Sequence, residues 1–326
     1  KVTVLMPIYN AEKYVCNAID SLLCQTSKNW KLICVDDGSS DSSAQIVEEY
    51  RQKDSRITLL KQTNAGPAVA RARAIEKVDT EYVSILDSDD AYAPDYVELM
   101  LKRAAETNAD SIVPNVEFYC ANMVNLPRLF EKRNLTETME IEDGRTAFSM
   151  TIPWRLHGWQ MIRTSLVKQY YTVETASYSK FNSDEYITRL LYLKSNKTVM
   201  CAAIYKYRIT PDSITRKPSI KKFDYLLTLD KVLTLCIVEH IDNCVILNVY
   251  NDYYLTLIKM WKLANELGVE EKKKGREMVQ YAYSMSYKQK LKNKILKNAS
   301  LKTWLKLKFS LLHFGIIRFL LSLIHI

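Results

Sequence analysis

The sequence predicts an α/β protein, a mostly parallel sheet covered by helices on both faces, followed by an all-helical region. Three observations lead there. The first 110 residues alternate short β-branched runs with helix-spaced apolar positions. Carboxylates close two of those runs, and beyond Ser219 only helical spacing remains.

Residues 2–9 read as the first strand, and Tyr14, Val15, Ala18, Ile19, Leu22 and Leu23 recur at helical spacing. Residues 30–35 form a second strand, and Ile46, Val47 and Tyr50 mark the helix after it. A third strand covers 57–61, and a helix over 67–78 opens on Pro67, a permitted early position. The fourth pair is a strand over 81–86 and a helix over 94–107. Such order implies parallel strands joined by crossover helices. From Ser111 to Tyr207 the pattern is irregular and aromatic-rich, with Trp154 and Trp159. Leu226, Leu229, Val232, Leu233, Cys236 and Ile237 then keep helical spacing. The expected organisation is a domain over 1–217, with halves of about 1–110 and 111–217, then a helical region over 218–326. Gly275 reads as the weak point before a basic tail.

At 326 residues, 48% hydrophobic and 25% charged, the chain has the composition of a globular protein with a sizeable core. Cys16, Cys24, Cys34 and Cys201 fall inside apolar patterns and are expected to be buried thiols in a reducing compartment. The four His lack the His-x-x-x-His spacing of a zinc enzyme. Lys1 leads directly into a strand, so no cleavable signal peptide is expected at this end.

The charge is localised. Residues 287–326 carry nine Lys or Arg and no acid, which leaves the first 286 residues neutral in a chain of net charge +9. Trp304, Phe309, Phe314 and Phe319 accompany those cations. Such a tail is expected to lie in a membrane interface against anionic lipid, or else to cover the chain's own core. Nothing resembling a reading motif accompanies it, so no nucleic-acid partner is expected.

Three carboxylates in Asp87-Ser88-Asp89-Asp90 follow the fourth strand, where α/β sheets place ligands. Clustered carboxylates repel one another, and Mg²⁺ or Mn²⁺ bridging to phosphate oxygens would relieve this. Alternatively, Asp89 or Asp90 caps the following helix. At the end of the first strand, Pro7, Tyr9 and Asn10 make a turn on which Tyr9 could stack against a base or ribose. In Val35-Asp36-Asp37-Gly38-Ser39-Ser40-Asp41 a carboxylate could accept from a nucleobase or ribose, while Ser40 or Asp41 caps the next helix. Arg71, one turn into the helix after Asn64-Ala65-Gly66, could meet a diphosphate or base oxygen, or lie exposed at the surface.

In order and spacing these segments, with Ser21-Leu22-Leu23-Cys24-Gln25-Thr26, resemble the family 2 glycosyltransferases. A weaker likeness continues through Trp159 to Arg163, Asn182-Ser183-Asp184-Glu185, and Tyr205-Lys206-Tyr207-Arg208 with Ser213-Ile214-Thr215. The resemblance implies a GT-A fold, a Rossmann-like sheet with a helical C-terminal extension. It implies inverting, metal-dependent transfer of a sugar from a nucleotide-sugar donor, a UDP-sugar, to a hydroxyl. The acceptor would be a lipid-linked or growing glycan of a capsule, O-antigen or exopolysaccharide, extended at the cytoplasmic face of a bacterial membrane.

By the same resemblance Pro7, Tyr9, Asn10, Asp37, Asn64 and Arg71 bind the nucleotide sugar. Asp87 and Ser88 join them, and Arg208, Ser213 and Thr215 close on the diphosphate. Asp87 and Asp89 match the metal-binding D-x-D for Mn²⁺ or Mg²⁺, with Asp89 as direct ligand. His157 and Trp159 lie on the acceptor side. The general base is Asp184 or Glu185; the family's pair runs Glu-Asp and this one Asp-Glu, which leaves the choice open. Both acids also suit the N-terminus of the helix they precede. Ala65 and Ala72 replace the usual Gly and Asn. A sugar-nucleotide pyrophosphorylase would need a Gly-rich loop after the first strand, and residues 7–15 contain no Gly. A scaffold that kept the fold and lost the chemistry would not need the carboxylates.

Overall fold

A computed structural model describes residues 1–119, 126–209 and 217–292, with side chains through residue 285. Ser213, Thr215 and the basic stretch 293–326 lie outside the described residues, as do the side chains of 286–292. The chain divides into a first unit, Lys1–Lys217, and a second that begins at Pro218.

The first unit is built on one sheet whose strands are β1 (Val2–Ile8), β2 (Trp30–Asp36), β3 (Ile57–Lys61), β4 (Tyr82–Ile85), β5 (Ala91–Tyr92), β6 (Ser111–Tyr119), β7 (Glu140–Ile141), β8 (Met161–Arg163) and β9 (Thr198–Arg208). Their order is β3-β2-β1-β4-β8-β6-β9-β5, with β7 also paired to β9. β1 to β4 are mutually parallel, β8 runs against both β4 and β6, and β6 and β9 are parallel. The carboxyl ends of β1, β2, β4, β6 and β9 therefore share one edge of the sheet. Helices α1 (Val15–Leu23), α2 (Ser43–Lys53), α3 (Pro67–Ile75) and α4 (Tyr96–Thr107) connect the first half. The second half adds α5 (Leu129–Arg133), α6 (Gly144–Ser149), α7 (Thr164–Tyr170), α8 (Val173–Ala176) and α9 (Ser183–Lys194).

Alternation along the strands feeds two cores. Val2, Val4, Met6 and Ile8 pack with α1 and α4 on one face, and Leu5, Ile33 and Val35 pack with α3 and α9 on the other. Burial on both faces is why these strands read as nearly unbroken apolar runs. Pro7 is tolerated inside β1 because its backbone points towards β4, whose pairing has ended at Leu5 and Ile85. β6 and β9 are long strands in the segment that reads as irregular. Pro114 interrupts β6, and the register shifts between Pro114 and Asn115, so no clean period of two survives. Cys34 and Cys201 are buried as expected, but Cys16 and Cys24 are exposed. Val15, Ala18, Ile19 and Leu22 form the buried stripe of α1, and Cys16 lies off it.

The second unit is helical over its described residues, with a 3₁₀ turn at Ile220–Phe223 followed by α10 (Asp224–Val238), α11 (Asn243–Ala264) and α12 (Val269–Lys292). Leu226, Leu229, Val232 and Leu233 of α10 and Val249, Tyr253 and Leu257 of α11 are buried, and the two helices pack on each other. Gly275 does not end a helix. It lies within α12, where a Cβ would come 2.7 Å from Phe223 Cζ, so close packing explains the residue. Among the described residues no helix is long and apolar enough to cross a membrane.

Candidate active site

The shared carboxyl edge brings the N-terminal motifs together. Asn10 takes a left-handed φ of 50° after β1, and its Oδ1 accepts from Ser40 N–H at 2.9 Å. Ala11 N–H donates to Ser43 Oγ at 2.7 Å, so the turns after β1 and β2 are joined. Tyr9 stands 52% exposed beside them.

Asp37 is buried, and its Oδ1 accepts from Gln62 Nε2 at 2.7 Å and Ala65 N–H at 2.8 Å. Its Oδ2 accepts from Gly66 N–H at 2.9 Å, and its carbonyl from Asn64 Nδ2 at 3.1 Å. Asp37 thus shapes the 62–66 loop. Gly66 has φ +94°, and a Cβ there would come 2.8 Å from the Lys180 carbonyl oxygen; only glycine meets both conditions.

Arg71 on α3 is not at the surface. It is 7% exposed, its Nη2 donates to Asp87 Oδ1 at 2.5 Å, and its Nη1 donates to Asp184 Oδ2 at 3.1 Å. Burial opposes its charge, and the carboxylates of Asp87 and Asp184 more than offset this. Asp87 Oδ2 in turn accepts from the Trp159 indole at 3.4 Å. Trp159 stacks on Tyr205 with ring centroids 5.1 Å apart. The first half of the chain, the aromatic segment and α9 therefore converge on the Arg71–Asp87 pair.

The other acids of that run have separate surroundings. Asp89 is partly buried, and its carboxylate meets its own backbone N–H but no side-chain hydrogen-bond donor among the described residues. Burial pushes its pKa above the usual range, and the Asp87 charge adds to this. Asp90 is not a helix cap: α4 begins later, at Asp95 and Tyr96. Its carboxylate is buried instead and accepts from Tyr205 OH and Arg208 N–H, each at 2.7 Å. Burial and the charges of Asp87 and Asp89 raise its pKa. Ser88 sits partly buried in the same turn. Arg208 Nε donates to the Asp89 carbonyl at 2.8 Å and Nη2 to Asn17 Oδ1 at 2.7 Å, which fixes the end of β9 beside the acidic turn.

The acidic pair on α9 splits. Asp184 pairs with Arg71, while Glu185 Oε1 accepts from Arg189 Nη1 at 2.7 Å, and the Arg189 guanidinium lies over Trp154. Burial raises the Asp184 pKa, with Arg71 opposing, although 39% of its side chain remains exposed. His157, expected on the acceptor side, is held inside the fold. It is buried, with Nε2 2.8 Å from the Pro114 carbonyl and Nδ1 accepting from Trp159 N–H at 3.3 Å. Burial pushes its pKa down to about 4, so the ring is a neutral strut that positions the Trp159 backbone. Tyr205 is absent from the sequence-derived candidates. It alternates with Lys206 and Tyr207 on a strand, and that period of two was the available signal.

Residues 3–170 match the family described as Glycosyl transferase family 2, just over half of the chain. The chain belongs to glycosyl transferase family 2. This family 2 glycosyltransferase is 31% identical over 233 residues to Glycosyltransferase GlyA of Streptococcus pneumoniae, which covers 66% of the chain. It spans only about a third of that relative, 32% of its length. Glycosyltransferase GlyG of the same organism is 27% identical over 270 residues, 78% of this chain and 88% of GlyG. TuaG of Bacillus subtilis, whose name assigns it to teichuronic acid biosynthesis, is 39% identical over 102 residues, 31% of this chain and 40% of TuaG.

Among solved structures, a fragment of S. aureus TarS in complex with UDP has a TM-score of 0.67 at 20% identity, covering 95% of this chain and 86% of that one. The mannosyltransferase PcManGT of Pyrobaculum calidifontis, in complex with GDP-Man and Mn²⁺, has a TM-score of 0.57 at 16% identity, covering 98% and 80%. These likenesses show the expected GT-A fold.

Proposed function

We propose that this glycosyltransferase moves a sugar, with inversion, from a UDP-sugar to a hydroxyl of a lipid-linked or growing glycan in cell-surface polysaccharide synthesis. The observation that carries the reading is the Asp87–Arg71–Asp184 bridge, which holds a donor-side acid and an α9 acid at one point. TarS complexes with UDP and UDP-GlcNAc support the choice of donor, and the name of TuaG supports polysaccharide synthesis.

Asp184 is the base in this reading. Its Oδ2 is held by Arg71, its Oδ1 has no partner among the described residues, and Glu185 is committed to Arg189. Asp184 would take the proton of the acceptor hydroxyl as that oxygen attacks the anomeric carbon and the bond to the diphosphate oxygen breaks. Trp159 beside Asp87 offers a ring to the acceptor sugar, and Tyr9 with the Asn64-Ala65-Gly66 loop forms the nucleoside side.

The acidic turn fits a hard divalent cation. Asp89 keeps a carboxylate with no ion-pair or side-chain partner among the described residues, and Mg²⁺ or Mn²⁺ takes one or two carboxylates plus substrate phosphates. Among the described residues no group of three or more metal-ligating side chains stands ready, so binding of the ion should require the nucleotide. Held by Asp89, it would supply positive charge to the leaving diphosphate. The basic tail, read from sequence, supports peripheral contact with an anionic inner membrane face.

The test is UDP release from a panel of UDP-hexoses and UDP-N-acetylhexosamines with Mn²⁺. Wild type should turn over at least one, and Asp184→Asn should lose about 10²- to 10⁴-fold in turnover, the range of a general base, with UDP affinity retained. Full turnover in Asp184→Asn would remove Asp184 from the chemistry.

A further inference from the structure

We infer that the acceptor is an anionic glycan: a strip of rings, Trp159, Tyr207 and Phe118, carries its sugars away from Asp87, and Arg133 with Lys132 takes a phosphate or carboxylate group borne on it. The inference rests on the glycosyltransferase reading and names the acceptor class for the same site.

The strip is continuous. Trp159, whose indole donates to Asp87, lies beside Tyr207 with ring centroids 5.3 Å apart, and Tyr207 meets Phe118 edge-on at 5.7 Å. Phe118 and Tyr207 are register partners on β6 and β9, and all three rings are partly exposed. Each step is comparable with the length of one sugar residue, and the C–H face of a pyranose packs on an aromatic ring as other apolar groups do. At the far end the Lys132 ammonium lies over the Phe118 ring, 4.8 Å from its centroid.

Cations gather around this end. Arg128, Lys132 and Arg133 lie on or beside α5, and Arg155 Nη2 donates to the carbonyls of Arg133 and Asn134, each at 3.4 Å. Those bonds tie the segment before Trp159 to the end of the helix. Of the acids there, Glu117 is paired with Arg128, and Glu131 stands exposed on α5. Arg133 is the anomaly. It is partly buried, burial pulls its pKa down, and its guanidinium has no hydrogen-bond or ion-pair partner among the described residues. Its charge reaches His157, whose ring centroid is 5.3 Å from that of Trp159, so the cation borders the strip. A desolvated cation without a counter-charge costs stability, and an anionic ligand would supply that charge. The planar guanidinium fork matches phosphate and carboxylate oxygens in pairs.

The test is calorimetry on the full chain with trisaccharides of glucose and of N-acetylglucosamine. Each is prepared in a neutral form, a form oxidised to carboxylates at its primary alcohols, and a form phosphorylated there. Wild type should bind at least one charged form about tenfold more tightly than its neutral counterpart, and the form preferred identifies the anion. Arg133→Met should lose about tenfold in affinity for that form, the size of a charge-assisted contact, and Arg133→Lys should recover part of the loss. Arg133→Met should leave neutral binding, and the UDP Kd with Mn²⁺, within about threefold of wild type. Tyr207→Leu should instead weaken charged and neutral forms alike.

The melting temperature separates a ligand-binding Arg133 from a structural one. Arg133→Met should melt no lower than wild type, because it removes a cation that has no partner in the free protein. A lower melting temperature with charged binding intact overturns the inference. So does equal affinity for charged and neutral forms, binding of none of them, or undiminished charged binding in Arg133→Met, the result expected if the basic tail held the anion. Failure of the glycosyltransferase reading would appear separately, as absent UDP binding by wild type.

Discussion

At the residue scale, His157 gives the molecule a pH dependence that does not involve the chemistry. Burial holds its pKa near about 4 in the folded chain, against 6.5 when free. Between those values the unfolded chain binds a proton that the folded chain refuses, so stability falls as pH drops from 6.5 through 4. The full loss is about 3 kcal/mol. His157→Gln keeps an amide donor for the Pro114 carbonyl and cannot titrate. Its melting temperature should fall less steeply than that of wild type across this window; parallel curves would show that His157 is not the group responsible. In the proposed reading turnover depends on Asp89 and Asp184, through ion binding and proton removal respectively.

At the element scale, the 62–66 loop and α12 depend on backbone approach. Gly66→Ala must accept both a φ of +94° and the Lys180 carbonyl at 2.8 Å, which should cost about 1–3 kcal/mol and weaken UDP binding. Gly275→Ala should cost a similar amount, about 1–3 kcal/mol, by pressing on Phe223, with UDP affinity untouched because no candidate site residue lies in that unit. Thermal melts with calorimetry separate the two; unchanged UDP affinity in Gly66→Ala would detach the loop from the donor.

The four parallel strands and the strand-end motifs were legible in the sequence because each is a local pattern. β6 and β9 were not, since Pro114 and the register shift beside it break the alternation. What joins the motifs was also hidden. Asp90 looks like a cap until Tyr205, 115 residues away, is placed beside it, and Arg71 looks like a surface residue until α9 folds over it. His157 and Trp159 are adjacent in the acceptor segment, yet only the fold separates a buried strut from a ring beside Asp87.

At the scale of the whole molecule, charge and chemistry are divided along the chain. Every candidate site residue falls in Lys1–Lys217, whereas the whole basic excess falls in residues 287–326. The full chain should sediment with phosphatidylglycerol vesicles and detach in about 1 M salt, where the screening length is about 3 Å. A chain ending at residue 286, with no formal net charge, should stay in solution and still bind UDP. Vesicle binding by the shortened chain would move the membrane contact out of the tail.

The central claim is that Asp89 joins a divalent ion to a nucleoside diphosphate at the end of β4. Its most direct test is calorimetric titration of UDP into wild type and Asp89→Ala, each with and without Mn²⁺. Wild type should bind UDP only when Mn²⁺ is present, and Asp89→Ala should lose that binding while keeping its fold. Equal, metal-dependent binding by both proteins would contradict the claim.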